Sequence, residues 1–224
     1  MLEKRIYKGE LNIKEDVSQL FLSAFPEDER PPLDAFLKSL EQKAVTLLAF
    51  YQQNTFVGFA YLAIYKDVCC IFFLAVSPTY RHQGIGGEIL EIIKKEYKDY
   101  VLMLGYEEVD QKYSNYQERV LRRDFYRHHG FIDNIIKTNE YGVIYETAYI
   151  GSHQVSFANY LVIFKLVFGP RQQVNVKDAT NYWALFWSIG LLAFFSWALA
   201  TNPKIAPSKP KMLSPIAHKT IAAI

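Results

Sequence analysis

The stretch Leu74-Ala-Val-Ser-Pro-Thr-Tyr-Arg-His-Gln-Gly-Ile-Gly-Gly-Glu-Ile-Leu90 passes from an apolar strand, through a proline-containing turn, into a helix with a glycine-rich entry. Glycine lacks a Cβ atom, so a phosphate oxygen can approach its backbone, and the first N–H groups of a helix point toward such an anion. Arg81 adds a positive charge to the same turn. The stretch therefore predicts an anion-binding turn, although the glycines could also serve only to turn the chain.

Two common nucleotide-binding loops do not fit this stretch. In a Rossmann G-x-G-x-x-G pattern that begins at Gly84, Ile89 takes the place of the third glycine. The sequence also lacks the phosphate-binding pattern G-x-x-x-x-G-K-[ST]. The turn must therefore belong to another kind of fold.

The segments before the turn are three apolar, β-rich runs at Val45–Gln52, Thr55–Tyr65 and Val68–Val76. The links between them, Gln53-Asn54 and Lys66-Asp67, are so short that the runs must be antiparallel neighbours. The remaining pattern alternates helices and strands, which predicts an α+β layer. We expect further strands at 5–8, 100–104, 131–137 and 141–149, and helices at 14–24, 32–42, 84–97, 117–128 and 157–168.

Composition excludes several classes of protein. Half of the 224 residues are apolar, only 21% are charged and the formal net charge is +2. This balance argues against disorder and against nucleic acid as the partner. Cys69 and Cys70 are adjacent and have no metal-ligand spacing, which favours a reducing compartment and predicts neither a disulfide framework nor a metal site. The first residues, MLEKRIYK, do not resemble a secretion signal.

Hydrophobicity is concentrated near the C-terminus, where residues 179–203 carry no charged side chain and include all three tryptophans. A helix over 181–201 would span about 30 Å, enough to cross a bilayer core. We therefore predict a transmembrane helix there, and the alternative is a buried core helix. The predicted domains are a folded domain at 1–168, a linker at 169–180, the transmembrane helix at 181–201 and a flexible tail at 202–224.

Two motifs carry a resemblance to the Gcn5-related N-acetyltransferase (GNAT) family. The first is Val-x-Pro-x-Tyr-Arg-x-x-Gly-x-Gly, matched by Val76, Pro78, Tyr80, Arg81, Gly84 and Gly86. The second is Phe125-Tyr-Arg-His-His-Gly-Phe131, which follows at the family's spacing. The resemblance covers about residues 3–168. It implies a mixed, mostly antiparallel sheet flanked by helices, whose fourth and fifth strands splay apart around acetyl-CoA.

The resemblance also implies site residues. The backbone of Leu74, Ala75 and Val76 would bind the pantetheine arm as an added strand. The turn that would surround the pyrophosphate comprises Arg81, His82, Gln83, Gly84, Ile85, Gly86 and Gly87. Tyr126 is the candidate acid for the leaving thiolate, because a phenol stays protonated at neutral pH, and the alternative is an aromatic ring that only packs.

The base that deprotonates the attacking amine is harder to identify. Glu107, Glu108 and Asp110 follow the predicted fifth strand, and relatives often carry Glu where this chain has Gly105. We take Glu108 as the candidate, although each of these acids could be solvated surface charge.

The resulting hypothesis is an N-acetyltransferase that moves the acetyl group of acetyl-CoA to a primary amine in a ternary complex, without a metal. The alternatives are a noncatalytic membrane-tethered acyl-CoA-binding or regulatory module and a membrane interaction protein. The acceptor is a small-molecule or peptide amine, and a homodimer is left open. We expect a single-pass protein of the cell membrane whose catalytic domain faces the cytoplasm, where acetyl-CoA is supplied. The lysine and arginine count around 181–201 differs by one in favour of the opposite orientation.

Overall fold

The computed structural model describes residues 2–27, 30–140, 142–169 and 174–176. Its centre is a mixed sheet of eight strands in the order β1-β2-β3-β4-β5-β7-β6-β8. The strands are β1 Glu3–Ile6, β2 Val45–Gln52, β3 Thr55–Tyr65, β4 Val68–Val76, β5 Val101–Glu107, β6 Ile132–Glu140, β7 Val143–Ile150 and β8 Val174–Val176. The helices are α1 Leu11–Ala24, α2 Leu33–Ser39, α3 Ile85–Glu96, α4 Tyr116–His128 and α5 Phe157–Phe168.

The order of elements agrees with the sequence prediction. Strands β2, β3 and β4 begin and end at the predicted residues, and both of their pairings are antiparallel. The left-handed backbone at Gln53, Asn54 and Lys66 makes the short links between them possible. Within the predicted linker at 169–180, strand β8 pairs with β6.

The sheet has a hydrophobic core on each face. Helices α1, α2 and α5 pack on the face we call the α5 face, where Phe21, Phe36 and Phe164 are fully buried. Helices α3 and α4 cover the opposite face, the α3 face, with Ile89 and Tyr126 in its core. The alternation of side chains along the strands lets one sheet supply both cores.

The two central strands separate along their length, as the resemblance implies. Strands β4 and β5 are parallel neighbours, but their pairing runs only from Val68 opposite Val101 to Ile71 opposite Leu104. The next residue, Phe72, is an extra residue in the pairing with β3, because Tyr61 lies opposite Phe73 and Leu62 opposite Ile71. Such a bulge bends a strand. We call the space beyond Ile71 and Leu104 the β4–β5 gap.

The predicted transmembrane helix at 181–201 and the predicted tail at 202–224 lie outside the described residues. Within the described ranges, no helix combines the length and apolar character that a membrane span requires.

Candidate functional site

The glycine-rich turn begins where β4 ends at the gap. A short 3-10 turn at Pro78–Tyr80 leads to Arg81, and α3 starts after Gly84. Gly84 has φ +80° and His82 has φ +60°, both in the left-handed region. Glycine adopts this region without strain, and no atom lies within 4 Å of the position that a Cβ at Gly84 would take. The turn is therefore open to a ligand at Gly84.

The N-terminus of α3 presents backbone donors at this turn. The N–H of Glu88 donates to the carbonyl of Gly84 at 3.0 Å, so the N–H groups of Ile85, Gly86 and Gly87 precede the helical ladder. Arg81 Nε donates to the carbonyl of Val76 at 3.1 Å, which ties the turn to the end of β4. Partial burial lowers the pKa of Arg81, but a guanidinium stays charged in proteins. Donors and charge together suit a phosphate group.

The backbone of β4 presents further hydrogen-bonding groups to the gap. The N–H of Ser77 donates to the carbonyl of Val57 at 2.8 Å, and Gly58 lies opposite Val76. Backbone groups in an antiparallel pair alternate in direction, so those of Leu74 and Val76 point away from β3. Of the three predicted strand residues, these two therefore face the gap, whereas the backbone groups of Ala75 bond to β3.

Sequence reasoning assigned no chemistry to His129, yet this residue packs on the turn. A Cβ atom at Gly87 would lie 2.8 Å from His129 Cε1 and 2.9 Å from its Nε2. The imidazole also contacts the Phe125 ring at a tilt, with centroids 4.7 Å apart, and its Nδ1 lies 3.3 Å from Glu91 Oε1. The end of α4 thus holds the first turn of α3 in place. In the sequence, the adjacent glycines at 86 and 87 were the signal that another group comes close to the start of α3.

Tyr126 lies on the inner side of α4, in the core of the α3 face. Its ring stacks on Tyr106 at 6.1 Å and meets Phe131 edge-on at 5.9 Å. Burial raises the pKa of Tyr126 to about 12, and the nearby charge of Arg122 opposes this rise. In the part of the chain that is described, no hydrogen bond to its hydroxyl is present. The phenol is thus protonated at neutral pH and has a proton to donate.

Arg122 precedes Tyr126 by one helical turn and forms an ion pair with Glu107 at the end of β5. Glu107 is only 2% exposed, and its Oε2 accepts from Arg122 Nη1. Its other oxygen, Oε1, is buried and has no hydrogen-bond partner among the described residues. The i, i+4 spacing of Arg122 and Tyr126 was visible in the sequence, but the link to Glu107 was not.

Glu108 lies one residue further along, beside several cationic and hydroxyl groups. Its Oε2 accepts from Lys112 Nζ at 2.8 Å and from the Tyr113 hydroxyl at 3.0 Å. Lys137 Nζ lies 3.6 Å from Glu108 Oε1. Asp110 pairs with the same Lys112 at 2.9 Å. These partners favour the ionised carboxylate, so they oppose its acting as a base.

No cluster of three or more His, Cys, Asp or Glu side chains that could hold a metal occurs within the described ranges. Both cysteines are buried, and burial raises the pKa of the Cys69 thiol to about 12. A thiol with so high a pKa is a poor nucleophile at neutral pH.

Comparisons with known proteins agree with this geometry. Residues 43–133 match the family model of the acetyltransferase (GNAT) domain. No curated protein sequence matches the chain. A solved structure from Bacteroides thetaiotaomicron, described as a GNAT-family acetyltransferase, is 17% identical with a TM-score of 0.63, over 75% of this chain and 99% of its own.

Two other solved structures contain the coenzyme. An aminoglycoside 6'-N-acetyltransferase complexed with coenzyme A is 16% identical with a TM-score of 0.55, over 69% of this chain and 99% of its own. A GNAT-family acetyltransferase from Elizabethkingia anophelis with acetyl-CoA bound is 21% identical with a TM-score of 0.50, over 67% of this chain and 98% of its own. At these identities the likeness to solved structures concerns the fold alone. The match to the family model also includes the glycine-rich turn and the motif at residues 125–131. Residues 43–133, which include β4, the glycine-rich turn, α3 and α4, are therefore similar to a GNAT acetyltransferase domain.

Proposed function

We propose that the protein transfers the acetyl group of acetyl-CoA to a primary amine by direct attack in a ternary complex. The observation that carries the proposal is the early end of the β4–β5 pairing at Ile71 and Leu104, directly before a turn with open backbone donors. The gap between the strands suits a thin pantetheine arm, and the turn suits a pyrophosphate. The open space at Gly84 fits the close approach of phosphate oxygens.

The chain's own backbone would supply the electrostatic part of catalysis. Leu74 and Val76 direct N–H groups into the gap, where a thioester carbonyl would lie. As an amine attacks that carbonyl, negative charge grows on its oxygen. Donors already oriented toward the oxygen stabilise this charge more than they stabilise the ground state.

Tyr126 is our candidate for the acid that protonates the departing thiolate. Its protonated phenol and its place beside the cation of Arg122 support this role, because a nearby positive charge stabilises the phenolate left after proton transfer. The buried carboxylate of Glu107 balances the charge of Arg122 in turn. Glu108 is the base that the sequence suggested, but its lysine partners oppose that role.

The test of the cofactor site is titration calorimetry with acetyl-CoA on the parent and on Gly84→Leu. A leucine side chain would fill the open space at the turn, so we expect binding to fall at least tenfold. Gly9→Leu is the matched control, because Gly9 also has a left-handed φ and no atom within 4 Å of a Cβ position. Equal affinity of the parent and a folded Gly84→Leu variant would contradict the proposed site.

Turnover is tested by the release of CoA when amines are added to the protein and acetyl-CoA. We expect turnover with at least one primary amine. Binding of acetyl-CoA without turnover across amines and peptide amino termini would instead support the noncatalytic acyl-CoA-binding module.

The membrane anchor at 181–201 is a separate proposal that rests on the apolar sequence alone. We expect the full chain to sediment with membranes, with its catalytic domain on the cytoplasmic side. The double substitution Leu191→Arg/Phe194→Arg should release the chain, because charged side chains are unfavourable in a bilayer core. Recovery of the parent in the soluble fraction would contradict the anchor.

A further inference from the structure

One carboxyl group close to the β4–β5 gap has no cationic partner. Glu140, the last residue of β6, accepts hydrogen bonds at Oε1 from the Thr138 hydroxyl at 2.6 Å and the Tyr160 hydroxyl at 2.5 Å. Among the described residues, no Lys, Arg or His lies within ion-pair distance of it. Glu107 and Glu108, by contrast, both pair with cations. A desolvated carboxylate without a cation is unfavourable unless it takes up a proton or a ligand supplies a positive charge.

The position of Glu140 relates it to the reaction site. Tyr160, which holds the carboxylate, stacks its ring on Phe72 with centroids 6.3 Å apart. Phe72 is the bulge residue at which the β4–β5 pairing has just ended. Burial raises the pKa of the Cys70 thiol on β4, and the nearby charge of Glu140 adds to that rise. The carboxylate therefore lies on the α5 face beside the start of the gap, across the sheet from Tyr126.

The surroundings of Glu140 are aromatic. Phe72 meets Phe168 edge-on at 5.3 Å and lies 6.3 Å from Phe164, and both partners belong to α5. Phe72 itself is only partly buried, so some of its ring surface is open to a ligand. Aromatic faces attract cations as well as apolar groups. A carboxylate beside such faces suits an ammonium group on an apolar body.

We propose that Glu140 binds the acceptor's amine and serves as the general base, and that the acceptor is a small primary amine with an aromatic or apolar body and no carboxylate. This inference rests on the proposed acetyltransferase function. Burial raises the pKa of the Glu140 carboxyl above its ordinary value, which makes the carboxylate a stronger base than an exposed one.

The ammonium gives one proton to the Glu140 carboxylate, and the free amine nitrogen forms a bond to the thioester carbonyl carbon. The carbon–sulfur bond breaks, and its electron pair leaves on sulfur, which takes a proton from Tyr126. The amide nitrogen loses its second proton to the Tyr126 phenolate, and Glu140 releases its proton to solvent.

The discriminating experiment compares three probes with acetyl-CoA: phenethylamine, phenylalanine and ethanolamine. Phenylalanine adds a carboxylate to the phenethylamine body, and Glu140 would repel it. Ethanolamine keeps the ammonium but lacks the aromatic body. We expect kcat/KM to be highest for phenethylamine, by at least tenfold over each of the others.

Glu140→Gln should lower kcat/KM for phenethylamine by about 10² or more while acetyl-CoA affinity is unchanged, because the amide cannot accept the proton. The matched control is Glu146→Gln, since Glu146 on β7 already pairs with Lys137 at 2.8 Å. If Glu140→Gln fails to fold, Tyr160→Phe replaces it as the test. This variant keeps the ring beside Phe72 and removes one hydrogen bond to the carboxylate, so we expect a smaller loss of kcat/KM in the same direction.

Two outcomes would overturn the inference and leave the acetyltransferase proposal intact. They are full turnover of phenethylamine by folded Glu140→Gln, and a preference for phenylalanine or ethanolamine by the parent. If the parent does not bind acetyl-CoA, the acetyltransferase proposal itself fails. In that case the affinity for phenethylamine, measured directly by calorimetry, still tests the amine site at Glu140. Equal affinity of the parent and Glu140→Gln for phenethylamine would overturn that site.

Discussion

Two carboxylates near the β4–β5 gap, Glu107 on β5 and Glu140 on β6, have different partners. Glu107, at the end of β5, is almost fully buried and pairs with Arg122 of α4. On the α5 face, Glu140 has two hydroxyl donors and no cation among the described residues. In a buried ion pair, the cationic side chain already neutralises the carboxylate. A carboxylate that is bonded only to hydroxyl groups can still bind a cation. We therefore expect Glu107 to support the fold and Glu140 to bind a ligand.

The largest effect on stability should follow the loss of the Arg122 guanidinium, which pairs with Glu107. Arg122→Met leaves Glu107 buried without its partner, so we expect a loss of about 3–5 kcal/mol in the free energy of unfolding, measured by urea denaturation. Arg123→Met is the control, because the ion-pair partner of Arg123, Asp124, is exposed. The double variant Arg122→Met/Glu107→Leu should recover most of the loss. If Arg122→Met were as stable as the parent, the Arg122–Glu107 pair would not stabilise the fold.

The next effect is on turnover and leaves stability almost unchanged. Tyr126→Phe should reduce kcat by about 10² and spare acetyl-CoA affinity, because the hydroxyl acts only as the thiolate departs. Tyr61→Phe is the matched control, since Tyr61 is also buried but bonds to Ser39 on the α5 face. Full turnover by Tyr126→Phe, where chemistry limits the rate, would make Tyr126 a packing residue.

A smaller effect concerns the contact between α3 and α4. Gly87→Ala places a Cβ within 3 Å of the His129 ring, so we expect a loss of about 1–3 kcal/mol in the free energy of unfolding. Gly105→Ala serves as the control, because its Cβ would meet no atom closer than 3.8 Å. Adding His129→Ala to Gly87→Ala should make the two changes less than additive in a double-mutant cycle. Strict additivity would mean that the helices are held elsewhere.

The smallest effect is the pH dependence of stability at Glu140. Its pKa is raised in the fold from the ordinary value of 4.5, so the folded state favours the protonated carboxyl. This contribution is fully present below pH 4.5 and is lost as the pH rises through the raised pKa. The titratable groups that interact with Glu140 include Tyr160 and Cys70, whose own pKa values are raised well above neutral pH, so they stay neutral in this window.

Glu140→Gln should therefore gain thermal stability relative to the parent as the pH is raised from 5 to 8. Glu146→Gln should show no such gain. A constant difference in Tm between Glu140→Gln and the parent across this range would contradict the desolvation of Glu140.

Much of the fold was readable in the sequence because its signals are local. Apolar, β-rich runs and the short links between them defined β2, β3 and β4 to the residue. Glycines at 84, 86 and 87 predicted the turn, and α5 was predicted with its correct ends. Predicted and observed strand ends differ where no turn residue marks the end. Strand β5 was predicted to end at Leu104 but continues to Glu107. There the antiparallel pairing with β7 continues the strand past the point where β4 has left it.

The sequence by itself determined the order of elements and the glycine-rich turn between β4 and α3, because apolar patterning and glycine chemistry act over a few residues. Tertiary structure alone decided which carboxylates have cations. Arg122 meets Glu107 from another element, and Tyr160 on α5 reaches Glu140 at the end of β6. Spacing along the chain carries no information about such contacts, since the sheet order β4-β5-β7-β6 brings residues together that are far apart in sequence. The order of strands thus decides which charged side chains near the gap are paired with one another.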